Sequence, residues 1–345
     1  MEIKKIVRAW GCIIRGQAPL LSIEITRECP LRCPGCYAYE DAHLGGTNLR
    51  SVADFKGEQL IRRVLALVDE HKPLHLSIVG GDPLVRYREL EVLLPQLSKR
   101  GIHTQVVTSA FRPISPSWAQ IPNLRISVSV DGLQPEHDAR RKPATYDRIL
   151  RNIQGQHVAI HCTITSAMMR KPGDLREFVT FWSANPDVEK IWMSMFTPQR
   201  GAHPIECLSQ DQRRSAVEQL LQLKPDFPKL DMSEDMLHEY LSPPASPKDC
   251  IFAGTTLSIT ADLKKRIEPC QFGGDPDCSQ CGCAASMGFA AIGHTRLVGP
   301  LTAGHLFRGS IAIGKMWQGI KGDRKREDDQ PTTNEDRDEL VKIAS

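Results

Sequence analysis

The sequence predicts an α/β chain: a partial (β/α)6 TIM-like barrel followed by a small C-terminal cysteine-rich module. Three observations predict it. Short apolar runs alternate with amphipathic helical stretches from about residue 20 to residue 222. Several of those runs interleave apolar and polar residues instead of being apolar throughout. Eight of the eleven cysteines fall in two groups, one near residue 30 and one from residue 250 onward. A chain of 345 residues that is 41% apolar and 25% charged also has material for a full-sized core.

Six βα units are expected. Their strands lie near residues 20–26, 74–79, 103–108, 124–130, 158–165 and 190–196, and their helices near 55–70, 87–100, 115–120, 145–154, 174–184 and 209–223. In the first of these helices Leu60, Ile61, Val64, Leu65 and Val68 repeat at helical spacing, and Ser51 with Asp54 reads as a capping box just before it. In the fourth strand Leu124, Ile126, Val128 and Val130 alternate with Arg125, Ser127, Ser129 and Asp131. The fifth interleaves Val158, Ile160, Cys162 and Ile164 with His161, Thr163 and Thr165. A parallel sheet covered on both faces is apolar on both. A polar face therefore suggests strands lining a lumen, which favours a curved barrel over a doubly wound open sheet.

The barrel is assigned to residues 1–240, the cysteine-rich module to 241–320 after the linker-like SPPASPKD, and a charged tail, expected to be disordered, to 321–345. Net charge is +3 with pI near 8.3, which gives no electrostatic case for binding nucleic acid. The N-terminus lacks the apolar run of a secretory signal, and no stretch approaches the roughly 18–20 apolar residues of a transmembrane span. A soluble, cytoplasmic protein is expected. In a reducing compartment eleven cysteines point to metal instead of disulfides.

The segment ITRECPLRCPGCYAYED sets Cys29, Cys33 and Cys36 in a C-x3-C-x2-C spacing directly after the first strand. A structural zinc ion normally takes four protein ligands. Three thiolates leave one iron of a four-iron, four-sulfur cube free, and a free iron can chelate the amino and carboxylate groups of a methionine moiety. With this spacing at this place, the chain resembles the radical S-adenosylmethionine (SAM) superfamily. One departure is Gly35, where the family commonly has an aromatic residue; Tyr37 follows the third cysteine instead and is the candidate aromatic contact to the cofactor.

The resemblance extends further. Gly80, Gly81 and Asp82 end the second strand as the family's GGE segment does, and imply contacts to the SAM ammonium, with Asp82 for the usual Glu. SVSVDGLQPEHDARR is similar to the S-x-DG…HD…R segment of SPASM and twitch-type members. It makes Ser127, Ser129 and Asp131 candidates for the ribose hydroxyls or the SAM carboxylate. Thr108, Ser109, Thr163 and Thr165 share the C-terminal rim, where βα barrels place ligands. His161 is read as a hydrogen-bonded core residue, Cys162 as packing, and Cys12 and Cys207 belong to no motif.

Cys250, Cys270, Cys278, Cys281 and Cys283 form the second group, with a hairpin expected around Ala261 and Asp262. This resembles the opening of SPASM and twitch modules and implies a second 4Fe–4S cluster; a zinc site is the alternative, and Cys281 and Cys283 are not distinguished as ligands. The family resemblance implies reductive cleavage of SAM to a 5′-deoxyadenosyl radical, with a flavodoxin or ferredoxin as reductant. The substrate is expected to be a small molecule or lipid, since the roughly 28 residues before Cys29 hold no peptide-recognition domain. A peptide maturase is the second expectation, which a neighbouring precursor-peptide gene would favour. A non-catalytic iron–sulfur carrier is a third.

Overall fold

The computed structural model describes residues 3–143 and 146–328. Seven parallel strands form one sheet in the order β6-β5-β4-β3-β2-β1-β7. They are β1 (Leu20–Glu24), β2 (His75–Val79), β3 (His103–Thr108), β4 (Leu124–Ser129), β5 (Val158–Ile164), β6 (Val188–Met195) and β7 (Thr256–Ile259). The helices are α1 (Ile3–Ile14), α2 (Gly57–His71), α3 (Tyr87–Lys99), α4 (Glu136–Arg140), α5 (Tyr146–Asn152), α6 (Asp174–Ala184) and α7 (Gln210–Leu223). Beyond them lie α8 (Glu234–Glu239), α9 (Ile251–Thr255), α10 (Ala284–His294) and α11 (Ala303–Asp328).

The first six strands lie where the alternating runs place them, and one parity of each faces the helices. Leu21 and Ile23 of β1, Leu76 and Ile78 of β2, and Val128 of β4 are buried in one core with Leu60, Val64, Leu93 and Phe178. Each such side chain contributes about 1.5–3 kcal/mol by leaving water. The opposite parity carries Ser22, Glu24, Ser77, Gln105, Ser127, His161 and Ser194, which line the concave side.

Three features differ from the sequence expectation. The hairpin forms, with Ile259 bridged to Arg266 in antiparallel pairing, but its first strand, β7, also pairs with β1 in register Leu20↔Thr256 through Ile23↔Ile259. The segment after residue 240 thus supplies a seventh strand to the barrel sheet. Secondly, no capping box forms at α2. Its N-cap is Lys56 with no side-chain cap, and the Gly57 N–H is satisfied from α3 by Glu89 Oε1 at 2.7 Å. Ser51 bonds to the Asn48 carbonyl instead, and Asp54 accepts from Thr26 and Arg86. Tertiary partners outbid the local motif. Thirdly, α11 continues through Asp328 and takes in the start of the charged tail; residues 329–345 lie outside the described residues. α11 packs on α1, where Trp10 Nε1 donates to Ser310 Oγ at 2.6 Å. Among the described residues no helix is long and apolar enough to cross a membrane.

Candidate active site between two cysteine groups

The loop leaving β1 carries Cys29, Cys33 and Cys36, all free thiols and part-buried. Cys29 has Cys33 and Cys36 among its electrostatic neighbours, and Cys36 has Cys33. Burial pushes the Cys29 thiol up to about 12; such thiols become thiolates only beside a compensating positive charge, which a metal supplies.

Glycines hold this loop against the barrel. Gly80 and Gly81 both have positive φ. A Cβ on Gly80 would lie 2.2 Å from Glu24 Cβ, and one on Gly81 would lie 2.2 Å from the Glu28 carbonyl oxygen. Gly35 is explained similarly: its φ is +63°, and an added Cβ would strike Glu206 Oε2 and Phe196. Phe196, from the end of β6, thus fills the space next to the loop where the family's aromatic residue would project.

The predicted site residues separate into two kinds. Asp82 is consumed internally: its carboxylate accepts from the Leu84 N–H at 3.0 Å, Thr108 Oγ1 at 2.6 Å, the Ser109 N–H at 2.8 Å and Ser109 Oγ at 2.5 Å. Four partners satisfy both oxygens and tie the β2 and β3 ends together. Asp82 orders the rim, and any contact to a ligand from this segment falls to the Gly80 and Gly81 backbone. Ser127 and Ser129 are buried on the concave face of β4.

Asp131 anchors a charged network. It pairs with Arg140 and with Arg141 Nε at 2.7 Å, and accepts the Thr163 N–H at 2.9 Å. Arg140 reaches Glu206 Oε1 at 2.7 Å. Burial pushes the Asp131 carboxyl up, but the two guanidiniums outweigh it and hold it well below the carboxylate range. This network lies beside Cys33, whose electrostatic neighbours are Arg141, Asp131, Arg140 and Glu206. Arg140 and Arg141 stand in the quoted HDARR segment yet were not among the sequence-predicted site residues; Glu206 carried no signal at all.

Tyr37 stands between the two cysteine groups. Its ring meets His43 at 5.4 Å and Phe272 at 5.3 Å, both edge-on. His43 bonds to Glu24 Oε1 at 2.9 Å and to the Phe272 carbonyl at 2.7 Å, joining β1 to the C-terminal segment. The one clue to this link in the sequence is a carboxylate inside the otherwise apolar LLSIEI. His161 bonds to Ser194 Oγ at 2.8 Å; burial depresses its pKa to about 4, so it is neutral at pH 7.

The second group lines a cleft, with Cys283 buried and the other four part-buried. Cys250, Cys270, Cys278, Cys281 and Cys283 line one apolar cleft of about 30 Å³ together with Phe252, Phe272 and prolines. Its walls are pinned to the barrel: Met195 N donates to the Gly282 carbonyl at 2.9 Å, and buried Arg213 of α7 donates to the Tyr240, Gln280 and Cys281 carbonyls. Cys162 packs in the core and Cys12 is buried near α11, as their lack of a motif implies.

Residues 23–180, from β1 into α6, match the family model described as Radical SAM superfamily. This stretch is similar to a radical SAM domain, a class whose cofactors are SAM and a 4Fe–4S cluster. Similar solved structures include Streptococcus suis SuiB bound to its precursor peptide SuiA (TM-score 0.57, 16% identity, covering 91% of this chain and 70% of that one). Another is native anSMEcpe with bound AdoMet and Cp18Cys peptide (0.54, 13%, 90% and 99%). A third is SuiB bound to SAM (0.52, 15%, 75%), of which this chain spans 60%. At these identities the likeness shows the fold. A search of the curated proteins finds no sequence match.

Proposed function

We propose that the chain binds a 4Fe–4S cluster through Cys29, Cys33 and Cys36, cleaves SAM reductively, and takes a hydrogen atom from a small-molecule or lipid substrate. One observation carries the reading: three free thiols on the loop after β1, with the Asp131, Arg140 and Arg141 network beside Cys33. Three protein ligands leave one iron for SAM. When bound and reduced, the cluster supplies the electron that splits SAM into methionine and the 5′-deoxyadenosyl radical.

The chain's own residues do the rest. Asp131 holds the two guanidiniums in place, and these can receive the SAM carboxylate as bidentate donors. The Gly80 and Gly81 backbone allows close approach of the methionine moiety. Ser127 and Ser129 offer hydroxyls toward the ribose. β7 and the His43 link close the side of the barrel next to β1, which helps to exclude water from the reaction. His161 and Ser194 already satisfy each other inside the lumen. A lumen closed in this way supports a small molecule or lipid over an extended chain. A peptide is the second reading, favoured by the SuiA and Cp18Cys peptides bound to the two structural neighbours.

The same reading gives the five C-terminal cysteines a second 4Fe–4S cluster, in a segment from residue 241 that resembles a SPASM or twitch module. Five thiols lining one apolar cleft support that reading, and a zinc site is the alternative.

Anaerobic reconstitution and chemical reduction with SAM test the proposal. The expected result is about eight irons per chain and formation of 5′-deoxyadenosine. In Cys36→Ala, 5′-deoxyadenosine should fall to background while about four irons stay bound. A wild-type protein that fails to consume SAM would leave an iron–sulfur carrier as the function.

A further inference from the structure

Beside Cys29 the loop opens to solvent. A recess of about 250 Å³ is lined by Arg27, Glu28, Cys29, Arg32, Tyr39 and Arg50. Its shape is built: the Arg50 guanidinium stacks 4.3 Å over the Tyr39 ring, Tyr39 Oη donates to the Arg27 carbonyl at 3.0 Å, and Arg27 Nη1 donates to the Arg50 and Val52 carbonyls. The single acid of the lining, Glu28, is already paired on both oxygens, by Lys56 at 2.8 Å and Arg86 at 3.0 Å. Three guanidiniums therefore give the recess a net positive face, although the whole chain carries only +3.

Cys33 looks toward the Arg140 and Arg141 network, whereas Cys29 lines this outer recess. The reaction consumes one electron per SAM cleaved when the radical is not recycled, and the chain supplies none. We propose that the Arg27, Arg32 and Arg50 recess is the docking site of an acidic, low-potential, one-electron carrier protein, and that Cys29 is the thiolate nearest the incoming electron. This rests on the function proposed above. For a flavodoxin, the anionic flavin hydroquinone loses one electron and becomes the neutral semiquinone with no proton transferred, and the oxidised cluster gains that electron. Opposite charge on the two faces raises the encounter rate and orients the carrier.

The test uses the reconstituted full-length protein and a reduced flavodoxin of net negative charge. Binding is measured by anaerobic calorimetry at about 50 and about 200 mM salt, flavin oxidation by stopped flow, and 5′-deoxyadenosine formation with dithionite, which needs no docking surface. Arg32→Glu with Arg50→Glu should weaken binding at least about tenfold and flatten its salt dependence. Arg32→Lys with Arg50→Lys should stay near wild type, and dithionite-driven cleavage should be unchanged in both. Unchanged flavodoxin binding in the Glu variant would overturn the docking site. So would a parallel loss of dithionite-driven cleavage, which would make the recess a small-anion or cofactor site. Failure of wild type with dithionite would instead overturn the parent reading, and the docking role with it.

Discussion

The two cysteine groups face opposite demands. The N-terminal loop presents three thiols between a buried charge network and an open basic recess. The C-terminal group presents five thiols in an apolar cavity whose walls are fastened to β6 by Gly282 and to α7 by Arg213. Fewer ligands and more access suit a centre that must bind a cofactor and be reduced. On the proposed reading, five thiols in a cleft fastened to the barrel suit a centre that is held permanently. The difference lies in what surrounds the thiols more than in their spacing.

The sharpest way to break this contrast is Asp131→Ala. Removing the carboxylate leaves Arg140 and Arg141 buried beside each other with one fewer counter-charge, which costs about 3–5 kcal/mol. Urea unfolding should register that loss. In the reconstituted variant SAM binding should weaken while the second centre keeps its iron. Equal iron loss at both centres would show that the charge network is a general fold element and not part of the first site.

Much of this was legible beforehand, for reasons that can be stated. The six barrel strands announce themselves because one face must be apolar for the helices while the other is not. Cys29, Cys33 and Cys36 announce themselves because ligands on one loop keep a fixed spacing. Contacts between distant segments left no such trace. Nothing in TTLSI says that it will pair with β1, because a four-residue strand reads the same in a hairpin or a barrel. Asp82 looked like a ligand-binding carboxylate until Thr108 and Ser109, 26 and 27 residues away, were seen to occupy it. The His43 to Phe272 bond spans 229 residues, and short-range periodicity cannot encode it.

A milder perturbation uses pH. His137 is fully buried, and its Nδ1 accepts the Asp131 N–H at 3.2 Å, which requires a neutral ring nitrogen. Burial lowers its pKa from 6.5 to about 4. The unfolded chain therefore binds a proton that the folded chain refuses, so stability is intact above pH 6.5 and falls as pH drops toward 4. The loss is at most on the order of 3 kcal/mol for this group. His161 has the same shift and adds to it. Urea midpoints at pH 7 and pH 4.5 should show the drop, and His137→Gln, which keeps an acceptor but cannot titrate, should flatten part of it. A slope unchanged in that variant would mean that the Asp131 side of the molecule is not the acid-sensitive one.

The smallest expected effect probes the seam between the two groups. Ser194 Oγ accepts the Ala284 N–H at 3.2 Å and bonds to His161 at 2.8 Å, so it joins a lumen strand to the helix that starts after Cys283. Ser194→Ala leaves the Ala284 donor without that partner, at a cost of about 1–2 kcal/mol. If the C-terminal group is held by the sum of such links, the variant should retain cluster iron but release it faster to a chelator, with SAM binding unaltered. If Arg213 and the Gly282 pairing hold it alone, chelation rates will match wild type, because those contacts do not pass through the Ser194 side chain.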